Sequence, residues 1–221
     1  MCSENDSENG RGISPALSFS MRRANLDDLP ALLTVQARCY SPQMNEPETV
    51  WRKRLQQTEV LCWIAESGGA IHAYLAAYPA RLGHVTALDG DFAPPPLADC
   101  LYLHDLAVSP AASGGGLGKA LLAQALHTAQ DRGWRHAALV CVQDAAGFWQ
   151  GQGFATTTLS TPAARTALAS YPGPARYMTR ALVLDERGSE TLAYGFIRVI
   201  RFAPRQSAFN ALRFAFAFKS R

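Results

Sequence analysis

No apolar run in this sequence approaches the roughly 20 residues that span a bilayer, so no transmembrane segment is expected. The first ten residues lack both the basic start and the apolar stretch of a signal peptide, and export is not expected either. Cysteine is scarce. The five residues at 2, 39, 62, 100 and 141 are odd in number and contain no Cys-x-x-Cys, which excludes a disulfide framework and a zinc ribbon. A cytoplasmic protein with reduced thiols is the simplest expectation. Acidic residues are missing from 191–221, where six Lys and Arg give +6, while residues 1–190 are net −3. The overall +3 is therefore a property of the tail. An electrostatic footprint must lie on the surface that binds, so specific nucleic-acid recognition by the main domain is not expected.

What is present is 221 residues with 48% hydrophobic content, enough for one domain with a substantial core. Residues 1–16 are polar and read as a disordered lead-in. A domain is expected over 17–184, followed by a basic, Phe-rich extension over 185–221. Ser18 to Arg23 reads as a strand, and Asn25 with Asp27 and Asp28 as a helix N-cap with acids in the first turn, opening a helix to about Cys39. A second helical pattern runs from Pro47 through Val50, Trp51, Arg54 and Leu55, with Pro47 in its first turn. Val60–Ala65 and Ala70–Tyr78, separated by Ser67-Gly68-Gly69, form an expected hairpin. Residues 79–99 carry four prolines and Asp89, Asp91 and Asp99, a loop of a length that often shapes a binding mouth. Then come a strand from Leu101 to Val108, a helix from Gly116 to Asp131, a strand from His136 to Val142, a short helix from Gly147 to Gln152, a strand from Phe154 to Leu159 and a last strand from Arg176 to Leu182.

The most informative segment is Leu106-Ala107-Val108-Ser109-Pro110-Ala111-Ala112-Ser113-Gly114-Gly115-Gly116-Leu117-Gly118-Lys119, a strand entering a helix through glycines. Glycines let successive backbone N–H groups converge, and the positive end of the following helix favours an anion, so a phosphate-bearing ligand is implied. A P-loop fails because Ser113 and Ala120 stand where Gly and Ser or Thr are needed. A dinucleotide fingerprint fails because Lys119 stands where its last glycine belongs. A ligand-free turn is the remaining alternative.

Leu-Ala-Val-x-Pro followed by this glycine run and Leu121-Leu122 resembles the acetyl-CoA signature of the GNAT superfamily of N-acetyltransferases. Phe148-Trp149-Gln150-Gly151-Gln152-Gly153-Phe154 is similar to a second segment of that family, and the order of elements from about 18 to 183 resembles its fold. The resemblance implies an α/β fold with a mixed, mostly antiparallel sheet splayed at the cofactor site and helices on both faces. It also implies acetyl-CoA as co-substrate. Backbone groups of Leu106, Ala107 and Val108 would hold the pantetheine arm, and Ser113, Gly114, Gly115, Gly116, Leu117, Gly118 and Lys119 would hold the phosphates, with Phe148 and Trp149 alongside. Two departures stand out. Ser113 replaces a long polar residue, leaving more to backbone donors, and Trp149 replaces the tyrosine that many members use to reprotonate the departing thiolate, work that an indole N–H cannot do.

Transfer from a thioester to an amine requires a neutral amine, a route for its proton and donors for the oxyanion. Strand alternation puts Tyr102, His104 and Leu106 on one face and Leu103, Asp105 and Ala107 on the other, barring a bulge. Tyr102 and His104 occupy positions that resemble those of two histidines in the serotonin N-acetyltransferase branch, which makes them the catalytic candidates, His104 as general base through water. A His104 satisfied by backbone and a Tyr102 that is simply core are the other readings. Cys100 and His104 lie too far apart on a strand to share a metal, and no metal is expected. Asp89, Asp91 and Asp99 could draw a cationic amine to the mouth.

The leading expectation is acetyl transfer to a small amine or an exposed protein amine by direct attack. A degenerate acyl-CoA-binding sensor is the alternative. A homodimer is left open, and the tail, in which Leu212 to Phe218 alternates like an edge strand, is either a membrane, RNA or partner contact or an extension without one.

Overall fold

Alternation along the strands sorts the side chains into two helix-covered faces. The computed structural model describes residues 18–183 and 198–201, with strands β1 (Ser18–Arg23), β2 (Leu61–Ser67), β3 (Ala70–Ala80), β4 (Cys100–Val108), β5 (His136–Cys141), β6 (Ala155–Thr156), β7 (Arg176–Ala181) and β8 (Arg198–Arg201). The helices are α1 (Leu29–Cys39), α2 (Glu48–Leu55), α3 (Leu117–Asp131), α4 (Ala146–Gly151) and α5 (Pro162–Leu168). The strands form one sheet in the order β6-β7-β5-β4-β3-β2-β1-β8. Among the described strands only β4 and β5 are parallel, as the helical crossover α3 between them requires, and the other neighbouring pairs are antiparallel.

On one face Ala73, Leu75 and Ala77 of β3 pack with Leu101 and Leu103 of β4 under Leu121, Leu122 and Ala125 of α3. On the other face Tyr74 and Ala76 pack against Leu29, Leu32 and Val35 of α1 and Trp51 of α2. Helices thus cover both faces, as expected. The hairpin between β2 and β3 turns at Gly68 and Gly69, whose φ values of 58° and 76° supply the left-handed pair that a two-residue turn needs.

The β4–β5 ladder stops early. It pairs Cys100 with His136 through Leu103 with Leu139 and goes no further, although β4 runs on to Val108. From His104 onward the β5-facing edge of β4 is open, and this is the expected splay.

Several boundaries differ from the sequence reading. Asn25 does form a capping box with Asp28, but on a single 3-10 turn over Leu26–Asp28, and α1 starts only at Leu29. Pro47 caps α2 from outside rather than sitting in its first turn. The strand expected over Phe154–Leu159 is reduced to Ala155–Thr156, and Thr161, whose hydroxyl accepts from the Ala164 N–H at 3.2 Å, opens the unforeseen helix α5. Residues 198–201, inside the expected extension, pair with β1 from Ser18↔Arg201 to Met21↔Arg198. The expected lead-in over 1–16 and the alternating stretch 212–218 lie outside the described residues. Among the described residues, no helix is long and apolar enough to cross a membrane, and no group of three metal-ligating side chains occurs.

Candidate active site

A bulge in β4 organises the site. Ala76 of β3 pairs with Asp105 and Ala77 with Leu103, so His104 is an extra residue without a partner on β3. Such a residue shifts the phase of everything after it. Leu106 therefore joins Leu103 on the α3 face, while Asp105 turns to the α1 face beside His104, where Tyr102 also lies. This corrects the alternation expected from sequence, which grouped Leu106 with His104 and put Asp105 opposite.

The His104 side chain is 3% exposed, and its Nε2 lies 3.2 Å from Oε1 and 3.1 Å from Oε2 of Glu46, in the segment just before α2. Nδ1 is buried and has no hydrogen-bond partner among the described residues. The Glu46 carboxylate is itself gripped by Arg54 of α2, with Nη2 2.7 Å from Oε1 and Nη1 bonded to Oε2. Burial pushes the Glu46 carboxyl up, but its contacts with the His104 ring and the Arg54 guanidinium outweigh it and hold it well below the usual carboxylate range. The same pair also ties down the loop between β3 and β4. The Asp89 N–H donates to Glu46 Oε1 at 2.9 Å, and Arg54 donates to the Gly90 carbonyl at 2.7 Å while lying 4.3 Å above the Phe92 ring.

Asp105 is held differently. It accepts the hydroxyls of Tyr40 at the end of α1 and Tyr74 of β3. Burial pushes its carboxyl up, and the two phenol donations only partly oppose this. Burial and the neighbouring Asp105 drive both tyrosines well above their ordinary range.

These groups border a pocket in the splay. Its β4 wall is Leu103 to Leu106, its β5 wall Leu139 and Val140, and Trp149 of α4 lies beside them. Met44, Leu88 and Tyr171 close the other side. The loop expected to shape a binding mouth thus supplies Leu88, and it is pinned by the Leu88 N–H to Ser170 Oγ at 2.9 Å and by Tyr171 Oη to the Thr86 carbonyl at 2.8 Å. Its three acids are not in the lining. Asp91 pairs with Lys53, and Asp99 accepts the Leu82 N–H. Tyr102 is completely buried in an aromatic group with Tyr78 and His104, ring centroids 5.3 and 6.3 Å away, and is outside the lining.

At the other end of the gap the open edge of β4 meets the glycine turn. Ser109 sends its N–H back to the His72 carbonyl of β3 at 2.7 Å. In an antiparallel ladder the direction alternates, so Ala107 also faces β3, whereas Leu106 and Val108 face the gap. This narrows the expected backbone donors to Leu106 and Val108. Their carbonyls already accept from Tyr40 Oη and Cys39 Sγ, each at 3.3 Å. Gly114 and Gly116 have φ near 80°, and Gly116 is the N-cap of α3, whose first intrahelical bond is Ala120 N–H to the Gly116 carbonyl. The N–H groups of Leu117, Gly118 and Lys119 thus make no bond within the helix. A Cβ on Gly118 would stand 3.5 Å from Val108, 3.8 Å from Phe148 and 3.9 Å from Leu106, so turn, strand and α4 converge there. Ser113 turns its hydroxyl to the Pro110 carbonyl at 2.9 Å, and Gly115 and Lys119 are exposed. Trp149 is buried edge-on to Phe148 and Phe154.

Sequence reasoning missed Glu46 and Tyr40, both in the connection between α1 and α2, and Tyr171, which follows α5. Arg54 did leave a signal. It falls on the apolar stripe of α2 with Trp51, and an arginine at a core position implies a buried acid.

A family model described as the acetyltransferase (GNAT) family matches residues 29–154. No curated protein matches the chain. Solved structures of similar fold include the ribosomal-protein-S18-alanine N-acetyltransferase from Escherichia coli, 18% identical with a TM-score of 0.56 over 78% of this chain and 99% of that one. The PaiA N-acetyltransferase from Thermoplasma acidophilum, in complex with coenzyme A, is 14% identical with a TM-score of 0.54 over 74% and 98%. N-acetylglutamate synthase from Neisseria gonorrhoeae, complexed with coenzyme A and N-acetyl-glutamate, is 21% identical with a TM-score of 0.58, covering 75% of this chain and 35% of that one. These likenesses are of fold, whereas the sequence match spans more than half of the chain together with its splayed sheet and glycine turn: the chain belongs to the GNAT acetyltransferase family.

Proposed function

We propose that this chain transfers the acetyl group of acetyl-CoA to a small primary amine by direct attack through a tetrahedral intermediate, with 17–184 as the transferase unit. The observation that carries the reading is the gap between β4 and β5, where Leu106 and α4 join the glycine turn to a pocket bordered by a buried histidine with a nitrogen that has no partner among the described residues. Backbone N–H groups of Leu106 and Val108 suit a pantetheine arm, and the turn over 113–119 suits its phosphates.

In the reaction the amine lone pair forms the C–N bond and the carbonyl π pair moves to oxygen. His104 takes the amine proton through water. Collapse restores the carbonyl, and the C–S bond breaks with its pair on sulfur. Solvent then protonates the thiolate, whose free pKa is near 8.5, so Trp149 need not act as an acid. Among the described residues the lining carries the carboxyl groups of Glu46 and Asp105 and no Lys or Arg, which suits an amine without a carboxylate of its own. His104 supports a likeness to the serotonin N-acetyltransferase branch, while Tyr102, behind the pocket, is assigned to packing. The free thiols of Cys39, Cys62, Cys100 and Cys141 suit a cytoplasmic setting.

The test is calorimetric titration of acetyl-CoA, followed by thiol release with pairs such as tyramine and tyrosine, or cadaverine and lysine. Acetyl-CoA binding with release favouring the decarboxylated member is the expected result. Binding without release over a broad amine panel would leave the chain a sensor of acyl-CoA, and no binding would overturn the reading.

A further inference from the structure

We infer that Glu46 is a positioning residue that decides which nitrogen of His104 acts as the base, and that through Arg54 it sets the base and the acceptor wall together. The inference rests on the acetyltransferase reading with His104 as base.

An ionised carboxylate has no proton to give, so contact with both Glu46 oxygens requires the proton to sit on His104 Nε2. A neutral imidazole then carries its lone pair on Nδ1, the nitrogen that is buried without a hydrogen-bond partner among the described residues, on a ring that lines the pocket. Arg54, 1% exposed, keeps the carboxylate charged. The groups that face the ring are Glu46 from the segment before α2, Arg54 of α2 behind it, Asp105 beside it on β4, and the Phe92 and Tyr102 rings. Of these, only Glu46 reaches a ring nitrogen by hydrogen bond. During transfer the ammonium N–H bond of the adduct breaks through an intervening water, its pair stays on nitrogen, and the proton lands on Nδ1. The imidazolium so formed keeps its Nε2–H on Glu46 until Nδ1 returns the proton to solvent.

The acceptor wall hangs on the same pair. Asp89 donates its N–H to Glu46, Arg54 holds the Gly90 carbonyl, and Leu88, one residue before, lines the pocket. Gly90 cannot be replaced freely here, since a Cβ would lie 2.9 Å from the Ala87 carbonyl oxygen. Loss of the Glu46 charge is therefore expected to disturb the acceptor KM as well as the proton step.

The first experiment needs no variant: nitrogen-15 NMR of the histidine rings in the wild-type chain, with His104 assigned by its loss in His104→Gln. In the neutral ring the proton is expected on Nε2, and a neutral ring protonated on Nδ1 instead overturns the inference. The second is Glu46→Gln, whose amide can donate to Nε2 and drive the proton to Nδ1. It is expected to lower kcat on the order of 100-fold, move the acid limb of the pH–rate profile to lower pH and leave the KM for acetyl-CoA unchanged, with partial recovery in Glu46→Asp. An unaltered profile and kcat overturn the inference. Should the uncompensated Arg54 prevent folding, Glu46→Gln with Arg54→Met restores neutrality and the same readouts apply. A wild-type chain that releases no thiol with any amine refutes the acetyltransferase reading, while the tautomer still decides the role of Glu46.

Discussion

His104 and Asp105, neighbours in the chain, project from the same face of β4 because the bulge at His104 breaks the alternation that would separate them. Their partners divide the labour. Glu46 with Arg54 surrounds His104 with compensated charge, and Tyr40 with Tyr74 supplies Asp105 with neutral donors.

His104→Gln removes the proton acceptor while keeping a polar side chain of similar reach. At limiting amine the rate is expected to fall about 100-fold or more, and the pH dependence on the acid side to flatten. Thiol release measured from pH 5.5 to 9 checks this, and a profile like that of the wild type would remove His104 as the base.

Gly116→Val places a β-branched residue at φ 80°, a conformation that costs an L-residue roughly 1–2 kcal/mol. The turn should shift and its N–H groups diverge. The Kd for CoA by calorimetry is expected to rise about tenfold, equivalent to about 1.4 kcal/mol. Normal CoA affinity would mean that the phosphates bind elsewhere.

Arg54→Met leaves the buried Glu46 carboxylate without its guanidinium and with the His104 ring still hydrogen-bonded to it, and breaking a buried pair in this way typically costs about 3–5 kcal/mol. Glu46 is depressed in the folded chain, so its contribution to stability is present above the ordinary carboxyl range and is lost as pH falls through its folded value. The variant should begin to lose stability at a higher pH than the wild type. Urea midpoints between pH 3 and 7 provide the comparison, and parallel curves would contradict it.

Asp105→Asn has the opposite sign. The Asp105 carboxyl is raised by burial, so the favourable contribution of its neutral form is present below the unfolded value and is lost as pH rises through the folded one. A neutral amide avoids that loss. The variant is expected to gain melting temperature relative to the wild type at pH 8, and the gain to vanish at pH 3. A gain that is equal at both pH values would point to packing rather than charge.

Much of the fold could be read locally. The hairpin at Ser67-Gly68-Gly69, the strand entering α3 and the glycines of the turn are short-range patterns, and the chain puts them where the spacing predicts. The Phe154–Leu159 segment was harder, because its threonines favour a strand while Thr161-Pro162 caps a helix, and the cap left room for only two strand residues.

The sequence alone determined the family, the anion-binding turn and the presence of a histidine on β4, since each depends on residues within a few positions of one another. Tertiary structure decided the rest. A bulge is a property of two paired strands, so the phase of Asp105 and Leu106 could not be counted along one of them. Glu46 lies 58 residues before His104, and only the docking of α2 and its preceding segment on the α1 face of the sheet brings the carboxylate within 3.1 Å of the ring. Burial then gives that contact its weight, because a charge removed from water must find its partner inside the fold.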